Sequence, residues 1–480
     1  MEKIKNFVSS LHLRLSDLLI FIGFIFFALF LIFGQLFMQY PNPNDVAFKL
    51  WMIIPSFVIV AVCWSAYTYL EFKLGNGPKN YISMIFIALA IIGVIGVLIQ
   101  PSTFQEVVII RNINEYNLSL YGEGLQIGDM VNAPIGVMNI SLTHYLFFAM
   151  DIVLVLFFIY IGLFIFPKRF SNISFIKYLG YAVIVFCLVL ILYSYIFEHA
   201  NYIGFFKAIF QHEGDINNYA VHSFIIHKNA YGMTLMIGII FAFINHSIEK
   251  KWWYYLFALF FLINMLFSLC KTGILISLLL IAIYLVYRLV VTFKENKKRN
   301  LIISIVGGSI LLIGIVVIGV SYLSKGQFLG FIYNLLKGGD TNTLDTRSFI
   351  WDNCFQLLRE HPIYYLFGRG FGLINMMLLP MNAANGDPVF PTHSAYVNLL
   401  CEGGILYLFA YLAFLIYCVY IIIKTFKKSP ELTIAIALGV LAFFLYSFIE
   451  TIHYLVYAFM LPVMILYQVS YKDGLNNNND

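Results

Sequence analysis

The chain has 480 residues, of which 61% are apolar and 11% charged, with a mean hydropathy of +0.87. An ordinary soluble domain carries about 25% charged residues, so these totals exclude one and describe a polytopic membrane protein. The net charge of +5 is small and points to no nucleic-acid partner, and the six cysteines lie mostly in apolar runs without paired spacing, as small buried hydrophobes do.

The first apolar run, Leu18 to Met38, is too long for a signal-peptide core and leads into Gln39-Tyr-Pro-Asn-Pro-Asn, so it reads as a retained anchor. Taking about 20 apolar residues per span, twelve spans follow in order: 18–38, 51–70, 81–99, 144–166, 175–197, 227–246, 253–270, 273–293, 301–323, 403–423, 433–449 and 451–471. A lipid-facing backbone must satisfy its own hydrogen bonds, which makes these spans helices. The expected fold is therefore an all-α polytopic membrane protein of about twelve transmembrane helices. It divides into nine spans over residues 1–323, a large loop with short helices over 324–402, and three spans with a tail over 403–480.

Most Lys and Arg residues fall in the short connections, among them Lys73, Lys79, Lys168, Arg169, Lys250, Lys251, Lys294, Lys297, Lys424 and Lys427. By the positive-inside rule those connections are cytoplasmic, as are both termini. The long loops 100–143, 198–226 and 324–402 are then extracytoplasmic.

Within the largest loop, Asp345 or Thr346 opens an amphipathic helix with an apolar stripe at Ile350, Cys354 and Leu357/Leu358, which Pro362 ends. A glycine-rich turn follows at Gly368-Arg369-Gly370-Phe371-Gly372. A second helix starts near His393 and runs on into the tenth span, placing His393, Tyr396/Val397, Leu400, Gly404 and Tyr407 on one face.

Polar residues from separate regions gather on the outer side under this topology. They are His227-Lys228-Asn229 at the start of span six, Lys271 in the turn between spans seven and eight, Arg347, Arg369 and His393 on the large loop, and Glu450 with His453. Each has a plain structural reading too. Lys271 reads equally as a snorkelling turn residue, His227 as a helix-end histidine, Glu450-x-x-His453 as an incomplete metal pair, and Arg359 with Glu360 as a solvated face. Asp151 inside span four is a costly intramembrane carboxylate whose partner the sequence does not reveal. Arg347, Arg369 and His393 form a different kind of set. Two guanidinium forks match phosphate oxygens, and an imidazole accepts a proton near neutral pH. That combination suits displacement of a lipid diphosphate by a sugar hydroxyl.

At these residues the sequence resembles the O-antigen ligase and O-antigen polymerase family of bacterial envelope glycosyltransferases, over about residues 220–470. Ligases of that family carry His-[Asn/Ser/Gln]-x9-Gly-x-x-[Gly/Thr/Tyr], and here His393-Ser394, nine residues and Gly404-Ile-Leu-Tyr407 match throughout. Further likenesses are His227-Lys-Asn229-Ala-Tyr-Gly232, Ser268-Leu-Cys-Lys271-Thr-Gly273, and Arg347-Ser-Phe-Ile-Trp351 through Pro362 to Gly368-Arg-Gly370. Members often carry arginine where this chain has Lys271, which keeps the charge and loses the fork. Two Arg-x10-Gly spacings of the kind found in family polymerases, Arg111 to Gly122 and Arg359 to Gly370, are also present.

The resemblance implies a GT-C-like helical fold in the bacterial inner membrane and a metal- and nucleotide-independent transfer without cofactors. The implied donor is an undecaprenyl diphosphate-linked oligosaccharide, and the acceptor a glycan or lipid-linked sugar, in O-antigen, capsule or related polysaccharide synthesis. By that likeness His393 is the general base or positions the acceptor, and Arg347 binds diphosphate. Arg369, Lys271, His227, Asn229 and Ser394 are the remaining substrate-binding candidates. The rival classes are a lipid-linked glycan flippase, which favours ionisable groups at mid-membrane depth, and a non-catalytic envelope assembly protein.

Overall fold

The computed structural model describes residues 12, 14–27, 29–30, 46–78, 80–101, 103–104, 107–110, 131–134, 138–139, 142–169, 173–210, 216–224, 228–295, 343–374, 377–378, 394–427 and 429–449. Among these, eight helices are long and apolar enough to cross a membrane. They fall within α2 (Val46–Lys73), α3 (Asn80–Leu98), α4 (Leu142–Tyr160), α5 (Ile173–Phe197), α7 (Lys228–Glu249), α9 (Lys271–Glu295), α12 (Ala395–Phe426) and α13 (Pro430–Ile449). Each coincides with an expected span. The expected span 253–270 is the shorter apolar helix α8 (Trp253–Phe267), whose 15 residues reach about 22 Å against a hydrocarbon core of about 30 Å. The first expected span is described over residues 14–27 and 29–30 as helix (α1). Expected spans 301–323 and 451–471 lie outside the described residues.

The connections on the two ends of the bundle differ in kind. On one end the turns are short and ion-paired. Glu249 accepts from Lys177 at 2.7 Å, Tyr181 at 2.6 Å and Tyr254 at 2.6 Å. Glu431 at the start of α13 meets Lys250 and Arg288, and Arg169 reaches Asp17 at 2.7 Å and Glu71 at 3.5 Å. These are the basic connections of the sequence, each with acidic partners that tie neighbouring helices together. The opposite end carries the longer segments. Its first one departs from the expected all-α fold: Thr103–Phe104 pairs with Met138–Asn139, and Val107–Ile110 with Val131–Pro134, as two short antiparallel ladders. The β-branched run Val107-Val-Ile-Ile favours an extended ribbon over a helix. In the second segment, α6 (His199–Phe210) lays Tyr202, Phe205 and Phe206 against Phe267, the last residue of α8.

α7 is the axis of the larger core. Residues Tyr231 through Ser247 are buried but for Thr234, so the helix touches protein on nearly every side. Small residues permit that closeness. A methyl group on Gly238 would come within 2.7 Å of Cys187 and 2.9 Å of Phe261, and one on Gly232 within 2.4 Å of Cys270. Packing of this kind is how helices associate without a hydrophobic drive in lipid. A second core gathers α1 to α4 around Trp64, Phe147 and Phe148, and also takes in residues of the large loop. α12 joins the two cores, with Ala395 in the first and Cys401 in the second.

Candidate active site

The large loop builds its side of the site from α10 (Thr343–Arg359), α11 (Pro362–Phe367) and the turn that follows. The α10 stripe lies as its periodicity predicts, with Ile350, Cys354, Leu357 and Leu358 all buried in the second core. α10 begins two residues before Asp345. Pro362 does not merely end it. The residue opens α11 at a position where a missing N–H costs nothing, while the His361 ring caps α11 by accepting the Ile363 N–H at 3.2 Å. Arg347 sits on the first half of α10.

The glycine turn docks on α12 through its backbone. Arg369 N donates to Cys401 O at 2.6 Å and Gly370 N to Glu402 O at 3.0 Å, while Gly372 N donates to the Glu402 carboxylate at 3.0 Å. Gln100 at the end of α3 donates to Gly96 O at 2.8 Å and Gly368 O at 3.2 Å, closing the third side. Gly368 and Gly404 have φ of +74° and +71°, and a methyl group on either would lie 2.2 Å from a carbonyl oxygen of the facing segment. Only glycine permits that approach.

Gly404 also corrects the expected continuous helix. Its φ of 71° and ψ of −170° break α12 into a short inner piece and the span proper, so the face proposed from His393 to Tyr407 does not continue across it. The family spacing thereby acquires a physical meaning. Ser394, extended at φ −160° and buried, caps the inner piece by accepting the Val397 N–H at 3.5 Å. Gly404 makes the break. Tyr407, past the break, donates to Leu89 O at 2.5 Å and packs on Phe371 at 4.6 Å, against the space left by Gly93.

The other side of the site comes from α7, α9 and α13. α7 starts at Lys228 and α9 at Lys271, so two long helices present their N-terminal ends here. Asn229 O accepts Tyr446 Oη at 3.2 Å and the Cys270 thiol at 3.8 Å, which brings the 228–232 segment onto the 268–273 turn. Ser268 shapes that turn, donating to Met265 O at 2.6 Å and accepting Cys270 N at 3.2 Å, with Leu269 held at φ +53°. A lysine at a helix start opposes the helix dipole. Both lysines are partly buried. The inner piece of α12 abuts this group: Tyr396 donates to Phe444 O at 3.3 Å and packs at a tilt against Phe448, ring centroids 4.6 Å apart.

Of the predicted residues, Asn229 and Lys271 are thus brought together, and Ser394 stands at the start of α12. Arg369 is fully buried inside the junction. It donates to Glu360 at 2.6 Å and lies over the Tyr364 ring at 4.2 Å, so one edge and one face of the guanidinium are already engaged. Glu360, expected on a solvated face, is exposed yet bound to that arginine; Arg359 is exposed. His393, His227, Glu450, His453 and the Arg111 to Gly122 spacing lie outside the described residues, as does the Arg347 side chain. Asp151 is half-buried within α4. Among the described residues no group of three or more His, Cys, Asp or Glu could hold a metal ion. Sequence reading missed Glu402, although a lone carboxylate in an apolar run was signal enough, and it missed Gln100 and Tyr446, which carry no such signal.

No curated protein matches the chain. Residues 256–412 match the family described as O-antigen ligase. The matched segment runs from α8 through the break in α12, taking in Lys271, Arg347, Arg369, His393 and Ser394; Asn229 precedes it and meets it through Cys270. Over that segment, which holds the large loop and the break in α12, the chain is similar to the O-antigen ligase family.

Proposed function

We propose that the protein is a cell-envelope polysaccharide ligase or polymerase of the bacterial inner membrane. It moves a glycan from an undecaprenyl diphosphate-linked donor to a sugar hydroxyl on the outer face. The acceptor hydroxyl oxygen attacks the anomeric carbon, and the bond from that carbon to the diphosphate oxygen breaks. The diphosphate leaves with the bonding electrons, still attached to its lipid, and His393 takes the hydroxyl proton. Arg347 and Lys271 stabilise the charge that develops on the leaving group, and Asn229 and His227 are further substrate-binding groups. Arg369 holds the junction on which this site is mounted, and Ser394 fixes the helix start next to His393. The diphosphate supplies both anchor and driving force, so no nucleotide is consumed.

The observation that carries this reading is the O-antigen ligase match across residues 256–412, together with a distinct structural task for Ser394, Gly404 and Tyr407 of the histidine motif. Motif residues with such separate structural tasks are expected of a working site. His393→Ala and Arg347→Ala are expected to abolish chain transfer in cells at unchanged protein levels. Normal-length, normally attached polymer from either variant removes that residue from the mechanism. In a strain lacking the protein, lost long chains with single repeats still attached mark a polymerase; unattached long chains on lipid carrier mark a ligase.

A further inference from the structure

Glu402 has no task in the chemistry above, yet it is a fully buried carboxylate on a helix inside the bundle. Burying such a group is unfavourable unless hydrogen bonds compensate it. Its surroundings show what it compensates for. A helix broken at Gly404 leaves the carbonyls just upstream without their usual donors four residues on. The glycine turn fills that gap: Arg369 N and Gly370 N bond the Cys401 and Glu402 carbonyls at 2.6 and 3.0 Å. A third turn N–H, on Gly372, lies beyond backbone reach and is met by the Glu402 side chain at 3.0 Å.

We infer that Glu402 is a positioning residue for the transfer site: its carboxylate clamps the Gly368–Gly372 turn to the broken helix, fixing the α10–α11 arm relative to the start of α12. This rests on the function proposed above for its consequence and on geometry alone for the clamp. α10 carries Arg347, α12 begins beside His393, and the turn is the covalent end of the arm. Holding three backbone donors of that turn on two adjacent residues of α12 sets the register between the two elements. The bond to Gly372 needs an acceptor of this length. A glutamine keeps it and an alanine does not, so the clamp depends on the acceptor atom and not on the charge.

The test uses full-length protein in lipid nanodiscs, as wild type, E402Q and E402A. Hydrogen exchange of residues 368–374 reads the clamp without any activity. E402A is expected to exchange there about tenfold faster or more, with E402Q close to wild type. Turnover with an undecaprenyl diphosphate-linked glycan reads the positioning. The rate of E402A is expected to fall about tenfold with KM within about twofold, at a folded fraction equal to wild type, and E402Q to recover most of the loss. Unchanged exchange in E402A overturns the clamp. Faster exchange with wild-type turnover overturns the positioning role, as does E402Q behaving like E402A, which would give the charge itself a part in the reaction. If wild type turns over no lipid diphosphate at all, the proposed function fails, and the exchange data still decide the clamp.

Discussion

Adding one methyl group at Gly404 is the sharpest test of how the site is mounted. The Cβ of Gly404→Ala would lie 2.2 Å from Leu366 O, 2.4 Å from Leu366 C and 2.7 Å from Phe367 N, all backbone atoms of α11. None can swing aside as a side chain can, so α11 must move or the break in α12 must relax. The conformation adds to this, because φ +71° with ψ −170° is a region in which other residues cost about 1–3 kcal/mol. Overpacking against a fixed neighbour contributes about 1–3 kcal/mol more. We expect Gly404→Ala to cost about 3 kcal/mol or more, measured by reversible unfolding in mixed micelles with tryptophan emission as the signal. Gly75 separates the two contributions, having φ +82° with nothing within 4 Å of its would-be Cβ. Gly75→Ala carries only the conformational penalty, about 1 kcal/mol. Equal losses at the two positions, or a Gly404→Ala protein within about 0.5 kcal/mol of wild type, refute the close approach of α11 to α12.

Three further outcomes follow from particular contacts. Removing the Tyr407 hydroxyl in Tyr407→Phe frees Leu89 O on α3 and is expected to cost about 1 kcal/mol in the same unfolding assay; no loss means the hydroxyl does not hold α12 to α3. Glu360→Ala leaves the buried Arg369 charge without its carboxylate, whereas Arg369→Met removes the charge and leaves a Glu360 that water can reach. The first is therefore expected to lower stability by about 1–3 kcal/mol and more than the second, and the reverse order contradicts a buried guanidinium. Glu431→Gln weakens the contacts to Lys250 and Arg288 at the far end of the bundle. Melting temperature should fall while transfer per folded molecule stays within about twofold of wild type, and a selective loss of transfer would place chemistry at that end.

Much of this architecture was legible because lipid enforces simple rules. Runs of about 20 apolar residues have one stable solution, so α2 to α5, α7, α9, α12 and α13 fall where hydropathy puts them. The stripe Ile350, Cys354, Leu357 and Leu358 was legible for the same reason, since helical period alone decides which side of α10 meets the core. The misreadings share a cause. Pro362 reads as a stop from local rules, but whether a new helix follows depends on the His361 cap and on docking against α12. The break at Gly404 is invisible to periodicity because glycine is common in membrane helices; it exists because Leu366 O occupies the space. The burial of Arg369 has no local signal either, since it follows from a fold of the turn that its own glycines permit without announcing. The short ladders at 103–110 and 131–139 pair segments too far apart in sequence for a local pattern to join them.

The central claim is that the protein transfers a glycan from a lipid diphosphate to an acceptor, and purified protein in sealed vesicles tests it most directly. Donor is supplied on the face bearing the long loops, and undecaprenyl diphosphate is measured with and without acceptor. The account predicts release only when acceptor is present, and none from His393→Ala. Movement of intact donor across the bilayer without acceptor, or equal release from His393→Ala, contradicts it.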